Sequence, residues 1–169
     1  MKKKYPTWDK VQKAKVSQVA GAIRSGGLAR IKAKRIQTIL NQIKEKYGKL
    51  NLDFLAQWQI SKARKELESL PGVGPKTASC VLLFSLGKPV LPVDTHVHRL
   101  SQRLGFIGKK VNADKAQEIL EELIEPKERY AFHISLIQHG RQVCKSFKPH
   151  CAGCVILEYC PYGQQSMKL

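Results

Sequence analysis

Acidic residues are scarce in this sequence: thirteen Asp and Glu stand against thirty Lys and Arg in 169 residues, a formal charge of +17. Long apolar runs are missing as well. No stretch approaches the ~20 consecutive apolar residues that a membrane-spanning helix needs. The opening MKKKYPTWDK is basic but has no apolar segment behind it, so no secretory leader is expected. Strand-like alternation of apolar and polar residues makes no persuasive run. With 43% hydrophobic and 25% charged residues, the composition excludes disordered and fibrous classes. The expectation is a cytoplasmic, globular, all-α chain, long enough to bury a core without disulfide staples.

The excess of positive charge is uneven. Residues 1–50 hold fourteen basic and two acidic residues, so +12 of the total lies in the first third. Such a field attracts polyanions, and nucleic acid is the commonest of these inside a cell. The bland alternative is a solvated basic face with no specific partner.

Helical periodicity runs from end to end. Apolar residues recur at Val11, Val16, Val19, Ala20 and Ile23, predicting a helix over Trp8–Arg24 that Ser25-Gly26-Gly27 breaks. Ile31, Ile36, Leu40 and Ile43 place a second stripe within Leu28–Tyr47, stopped by Gly48. Further helices are expected over Ser61–Leu70, Lys76–Leu86, Asp94–Gly105, Asn112–Ile124 and Lys127–Arg141, followed by a Cys-rich tail.

Three patterns carry chemistry. In Leu70-Pro71-Gly72-Val73-Gly74 a tight turn joins two helices, with Pro75 suited to the first helical position. Glycines there let another backbone approach, and unpaired N–H groups at a helix N-terminus suit a phosphate oxygen. The contact would be independent of base sequence, and Val73 is expected to plug into the core. An αα-hairpin with no ligand is the plain alternative.

Lys76 follows in the first turn of the next helix. The positive end of the dipole opposes an ammonium there, and with partial burial favours the free amine, a nucleophile able to attack a sugar C1′. Neutralising a phosphate is the simpler role. Asp94, in Pro92-Val93-Asp94-Thr95-His96, has the residue type of an ordinary helix N-cap. It can equally stabilise a cationic sugar, activate water or take a proton from Lys76. One carboxylate can do both, because a capping oxygen leaves the other one spare.

Four of the five cysteines fall within 17 residues, as Cys144-x6-Cys151-x2-Cys154-x5-Cys160. Four thiolates suit tetrahedral zinc or a [4Fe–4S] cluster, and the uneven spacing with a terminal Cys-Pro favours the cluster. Without a second cluster motif or a flavin signature, its expected role is a structural staple. Lys145, Lys148 and His150 lie in its first loop, and Cys80 is expected as a buried small hydrophobe beside Ala78, Val81 and Phe84.

With these residues in view, the chain resembles the endonuclease III family of DNA glycosylases in the helix–hairpin–helix–Gly/Pro–Asp superfamily. The resemblance rests on Leu70–Ala78, on Val93-Asp94-Thr95-His96-Val97-x-Arg99 and on the cysteine spacing, in that order across Tyr5 to Tyr162. It implies a two-lobed helical fold, grouped here as residues 1–110 with the hairpin and 111–169 with the cluster loop, and DNA in the cleft between. It implies excision of a damaged base, an oxidised pyrimidine in particular, from double-stranded DNA, followed by β-elimination at the abasic site. Lys76 takes the position of the Schiff-base lysine and Asp94 that of the catalytic aspartate. Cys144, Cys151, Cys154 and Cys160 match the ligands of a [4Fe–4S] cluster.

By the same resemblance, Leu70, Gly72, Val73, Gly74 and Thr77 of the hairpin motif, with Lys145 and Lys148 of the cluster loop, contact DNA. The protein is expected to act as a monomer near the nucleoid, without a membrane. Family members carry additional N-terminal helices before the point matching Tyr5, so this chain reads as N-terminally short, with weakened activity expected. The rival readings are a non-catalytic module for damaged DNA, an inactive fragment of such a glycosylase, and a redox protein.

Overall fold

The structure, a computed structural model, describes residues 3–168. Every regular element among them is helical: α1 (Trp8–Lys13), α2 (Val16–Ala22), α3 (Ala29–Tyr47), α4 (Ile60–Glu68), α5 (Pro75–Phe84), α6 (Thr95–Arg103), α7 (Ala113–Leu123), α8 (Arg129–Gln142) and α9 (Pro161–Ser166), with short 3₁₀ turns between. No helix among the described residues is long and apolar enough to cross a membrane. The chain divides into two compact units, residues 1–74 and 75–169. The sequence grouping broke at residue 110, but Val97, Leu100 and Ile107 share one core with Ala116, Leu120 and Leu136. Apolar packing therefore ties α6 to α7 and α8.

In the first unit, α1 and α2 pack on α3 around Val11, Val19, Ala33 and Leu40. The helix expected over Trp8–Arg24 is two helices. Ala14 and Lys15 turn extended (ψ 156° and 139°), and the Gln37 side chain of α3 donates to the carbonyls of Val11 (2.9 Å) and Ala14 (2.6 Å). A long-range amide thus satisfies groups that helix continuation would otherwise have paired. Gly48, in the left-handed region at φ 70°, closes α3 by donating to Lys44 O at 2.8 Å. Glu66 of α4 receives Lys46 Nζ and Tyr47 Oη of α3, both at 2.6 Å.

In the second unit, α5 buries Ala78, Ser79, Leu82 and Leu83. That corrects the expected apolar face: Cys80 and Val81 are half-buried and Phe84 is exposed. A polar chain runs beneath α5, where Gln117 Nε2 donates to Ser79 Oγ (2.9 Å) and to Glu121 Oε1 (2.7 Å). The same Glu121 oxygen accepts the Leu91 N–H at 2.9 Å. Helices α6 and α8 meet at Gly140, where a Cβ would lie 2.7 Å from His96 Nδ1. Arg99 Nη2 uses this closeness to donate to Gly140 O (3.1 Å) and Cys144 O (2.9 Å). The tail contains α9, which the sequence reading left irregular. Pro161 opens it and Cys160 Sγ caps it by accepting the Gly163 N–H at 3.3 Å.

Candidate functional site

Leu70 anchors the hairpin turn in the first unit, nearly buried, and its carbonyl accepts the Val73 N–H at 3.1 Å. Val73 is half-buried, so it plugs the turn only in part. Gly72 sits at φ +74°, and a Cβ there would collide with the guanidinium of Arg35 on α3. Gly74 has open space and ordinary φ, so of the two glycines only the first is sterically required. No acceptor among the described residues takes the N–H of Gly72 or Gly74. The turn thus offers backbone donors with a cation laid against them. Arg35 went unnoticed in sequence because its neighbour in space is 37 positions away. Leu28, expected as the first residue of the second helix, instead caps it: it is 72% exposed and left-handed (φ 49°) at the start of basic α3.

In the second unit, Lys76 and Thr77 occupy the exposed first turn of α5. Lys76 is not partly buried as expected; its amine meets solvent and has no hydrogen bond or ion pair among the described residues. Asp94 is the N-cap of α6, and Oδ1 alone accepts both capping amides, His96 N–H and Val97 N–H, each at 2.8 Å. Oδ2 is left without a protein donor among the described residues. The capping and the catalytic readings of Asp94 are therefore compatible, one oxygen apiece. The charges of Asp94 and Lys76 both reach buried His133, the carboxylate raising and the ammonium lowering its basicity. Burial dominates, however, and holds that imidazole below its usual titration range.

Cys144, Cys151, Cys154 and Cys160 all line one cavity, together with Leu100, Leu104, Val143 and Leu157. No cysteine is in a disulfide. Polar groups already meet the sulfurs: Arg103 Nη1 donates to Cys144 Sγ at 3.1 Å, and His139 Nε2 lies 3.5 Å from Cys154 Sγ. Gly163 lies close at the wall: a Cβ there would sit 2.8 Å from Leu157 Cδ1, which would have to turn aside. Among the described residues no three His, Cys, Asp or Glu side chains converge as a single metal ion requires. An apolar chamber edged by four thiols and N–H donors fits a sulfur-bridged polynuclear group.

The first cysteine loop is closed by His150 N–H donating to Val143 O at 3.0 Å, and Arg103 holds it through Lys145 O (2.8 Å) and Ser146 O (3.1 Å). Lys145 and Lys148 stand exposed on it, the latter strained at φ 48°. His150 lines the cavity as well, so it remains near the thiols without being needed as a fifth ligand.

The chain is similar to known proteins in sequence and in fold. Residues 1–126 match the family model of the HhH-GPD superfamily base excision DNA repair proteins. Endonuclease III of Sulfolobus acidocaldarius is 34% identical over 96% of this chain and 70% of its own length. Endonuclease III of Thermotoga maritima is 35% identical over 97% of the chain and 72% of its own. A glycosylase-like protein of Arabidopsis thaliana is 36% identical over 90% of the chain, which spans about half (52%) of that relative. A solved structure of a trapped covalent endonuclease III–DNA intermediate is similar with a TM-score of 0.82 and 34% identity, over 98% of this chain and 74% of that one. The chain is a member of the HhH-GPD superfamily of base excision DNA repair proteins, of the endonuclease III type of DNA glycosylase.

Proposed function

We propose that this protein removes an oxidised pyrimidine from duplex DNA and then cleaves the abasic strand by β-elimination. The observation that carries the reading is the division of labour at Asp94. Its Oδ1 is spent on the two α6 amides, and its other oxygen is left for chemistry in the unit that also presents the unpaired Lys76. The trapped covalent intermediate of endonuclease III with DNA supports a reaction that passes through a covalent bond between protein and DNA.

The steps follow from these groups. The free carboxylate oxygen of Asp94 stabilises positive charge on the sugar as the C1′–N1 bond breaks, and the departing base takes a proton. Lys76 Nζ attacks C1′ and passes a proton to the free Asp94 oxygen; the C1′–O4′ bond then breaks, O4′ takes up that proton as the 4′ hydroxyl, and C1′ and Nζ are left joined as an imine. Removal of a C2′ proton then expels the 3′ phosphate, and water hydrolyses the imine to release Lys76. Gly72, Gly74 and Thr77 would hold the strand through phosphate contacts, Leu70 and Val73 would brace that turn, and Lys145 and Lys148 would add contacts elsewhere on the backbone.

Cys144, Cys151, Cys154 and Cys160 would hold a [4Fe–4S] cluster, which when bound supplies a rigid staple for the Lys145–Lys148 loop. Borohydride reduction on abasic duplex DNA tests the reading. Wild type is expected to form a covalent adduct and Lys76→Ala none; equal trapping by both removes Lys76 from its role. Single-turnover cleavage of duplexes holding thymine glycol, an abasic site or a T:G mismatch tests the substrate class, with thymine glycol expected to be cut fastest of the two base lesions.

A further inference from the structure

His133 has no part in the reaction as written, yet it bonds the strap that leads into Asp94. This α8 side chain is 2% exposed, and its Nδ1 lies 2.8 Å from the Pro92 carbonyl. A carbonyl only accepts, so Nδ1 carries the proton and donates. The Phe84 ring covers the imidazole with centroids 5.4 Å apart. One residue earlier, the Leu91 N–H is held by Glu121 Oε1 of α7 at 2.9 Å. Two consecutive residues of the strap before Asp94 are thus clamped by side chains from two different helices. Asp94 follows two residues after Pro92, and its orientation is inherited from that strap.

We propose that His133 is a positioning residue: by holding the Pro92 carbonyl it sets where the uncommitted oxygen of Asp94 stands for the sugar that Lys76 attacks. This rests on the reaction proposed above. A residue with only a packing role would do better as leucine, since burying an imidazole costs solvation. Burial holds the ring below its usual titration range, so it grips the strap as a neutral group and adds no charge to compete with Asp94. Misplacing a catalytic group by about 1 Å costs on the order of 10²-fold in rate.

The test compares His133→Leu, His133→Asn and His133→Gln in the full chain on duplex containing thymine glycol. It reads the single-turnover rate at saturating enzyme and, separately, the DNA dissociation constant. His133→Leu is expected to slow the rate roughly 10- to 100-fold with affinity unchanged. Asn can put its amide N–H where Nδ1 stands, and is expected to recover to within about threefold of wild type. Gln, which reaches the Nε2 position instead, is expected to stay slow.

A folded His133→Leu at the wild-type rate overturns the proposal, and so does His133→Asn as slow as His133→Gln. If His133→Leu fails to fold, the Asn–Gln pair decides alone: Asn faster than Gln supports the role, equal rates end it. If wild type neither traps nor cleaves, the proposed reaction fails and this role falls with it. If wild type traps and all variants match it, only the positioning role falls.

Discussion

Asp94 shows how one side chain holds a fold together and stays available for chemistry. Both capping hydrogen bonds converge on Oδ1, so the two duties can be separated by substitution. Asn is as good an N-cap as Asp. Asp94→Asn is therefore expected to melt within a few degrees of wild type while single-turnover excision falls at least about 10²-fold. Asp94→Ala loses the cap as well and should cost a further 0.5–2 kcal/mol, roughly the range for a deleted N-cap; thermal unfolding of the two variants reads the difference. The residue types at Lys76 and Asp94 were legible in sequence. That Lys76 is exposed, and that the two capping bonds share one oxygen, were not, because both depend on side-chain geometry that spacing does not encode.

At the scale of helices, two contacts determine how elements meet. Gly140 lets α6 lie against α8, and a methyl group there would press on His96 Nδ1 and Arg99 Nη2. Gly140→Ala is expected to destabilise the second unit by about 1–3 kcal/mol, the usual cost of overpacking, measured by denaturant unfolding.

In the first unit, Lys46 and then Tyr47 of α3 bond to Glu66 of α4 and hold its carboxyl below its ordinary value of 4.5. A depressed carboxyl stabilises the fold above its unfolded value and loses that contribution as pH falls through the folded one. Stability is therefore expected to drop as pH is lowered from 4.5, and Glu66→Gln should flatten that drop. Chemical denaturation between pH 6 and 3 checks it. The helix lengths and most caps were readable from periodicity and residue type. The break at Ala14 was not, because Gln37, which stabilises it, lies 23 residues away; nor was the buried face of α5, where Ser79 is buried against Gln117, 38 residues away.

For the molecule as a whole, two bulk properties remain to be measured. The +17 charge predicts DNA binding that weakens steeply with salt, the log–log slope growing by about 0.9 per phosphate neutralised. A flat dependence would leave the basic surface without its expected partner. The thiol cavity predicts about four iron and four sulfide per chain, lost together with the visible absorption band in Cys151→Ser. One zinc and no iron would overturn the cluster.

The sequence by itself determined the all-α class and the order of hairpin, aspartate and cysteines, because these rest on periodicity, turn chemistry and spacing along one chain, and it carried the motifs by which the chain resembles its family. Only the tertiary structure decided that Arg35 lies on Gly72, that four cysteines share one chamber with Arg103 and His139, and that His133 grips the strap before Asp94. Those facts are contacts between residues distant in sequence, and they exist only once burial of the apolar faces has fixed which helices meet.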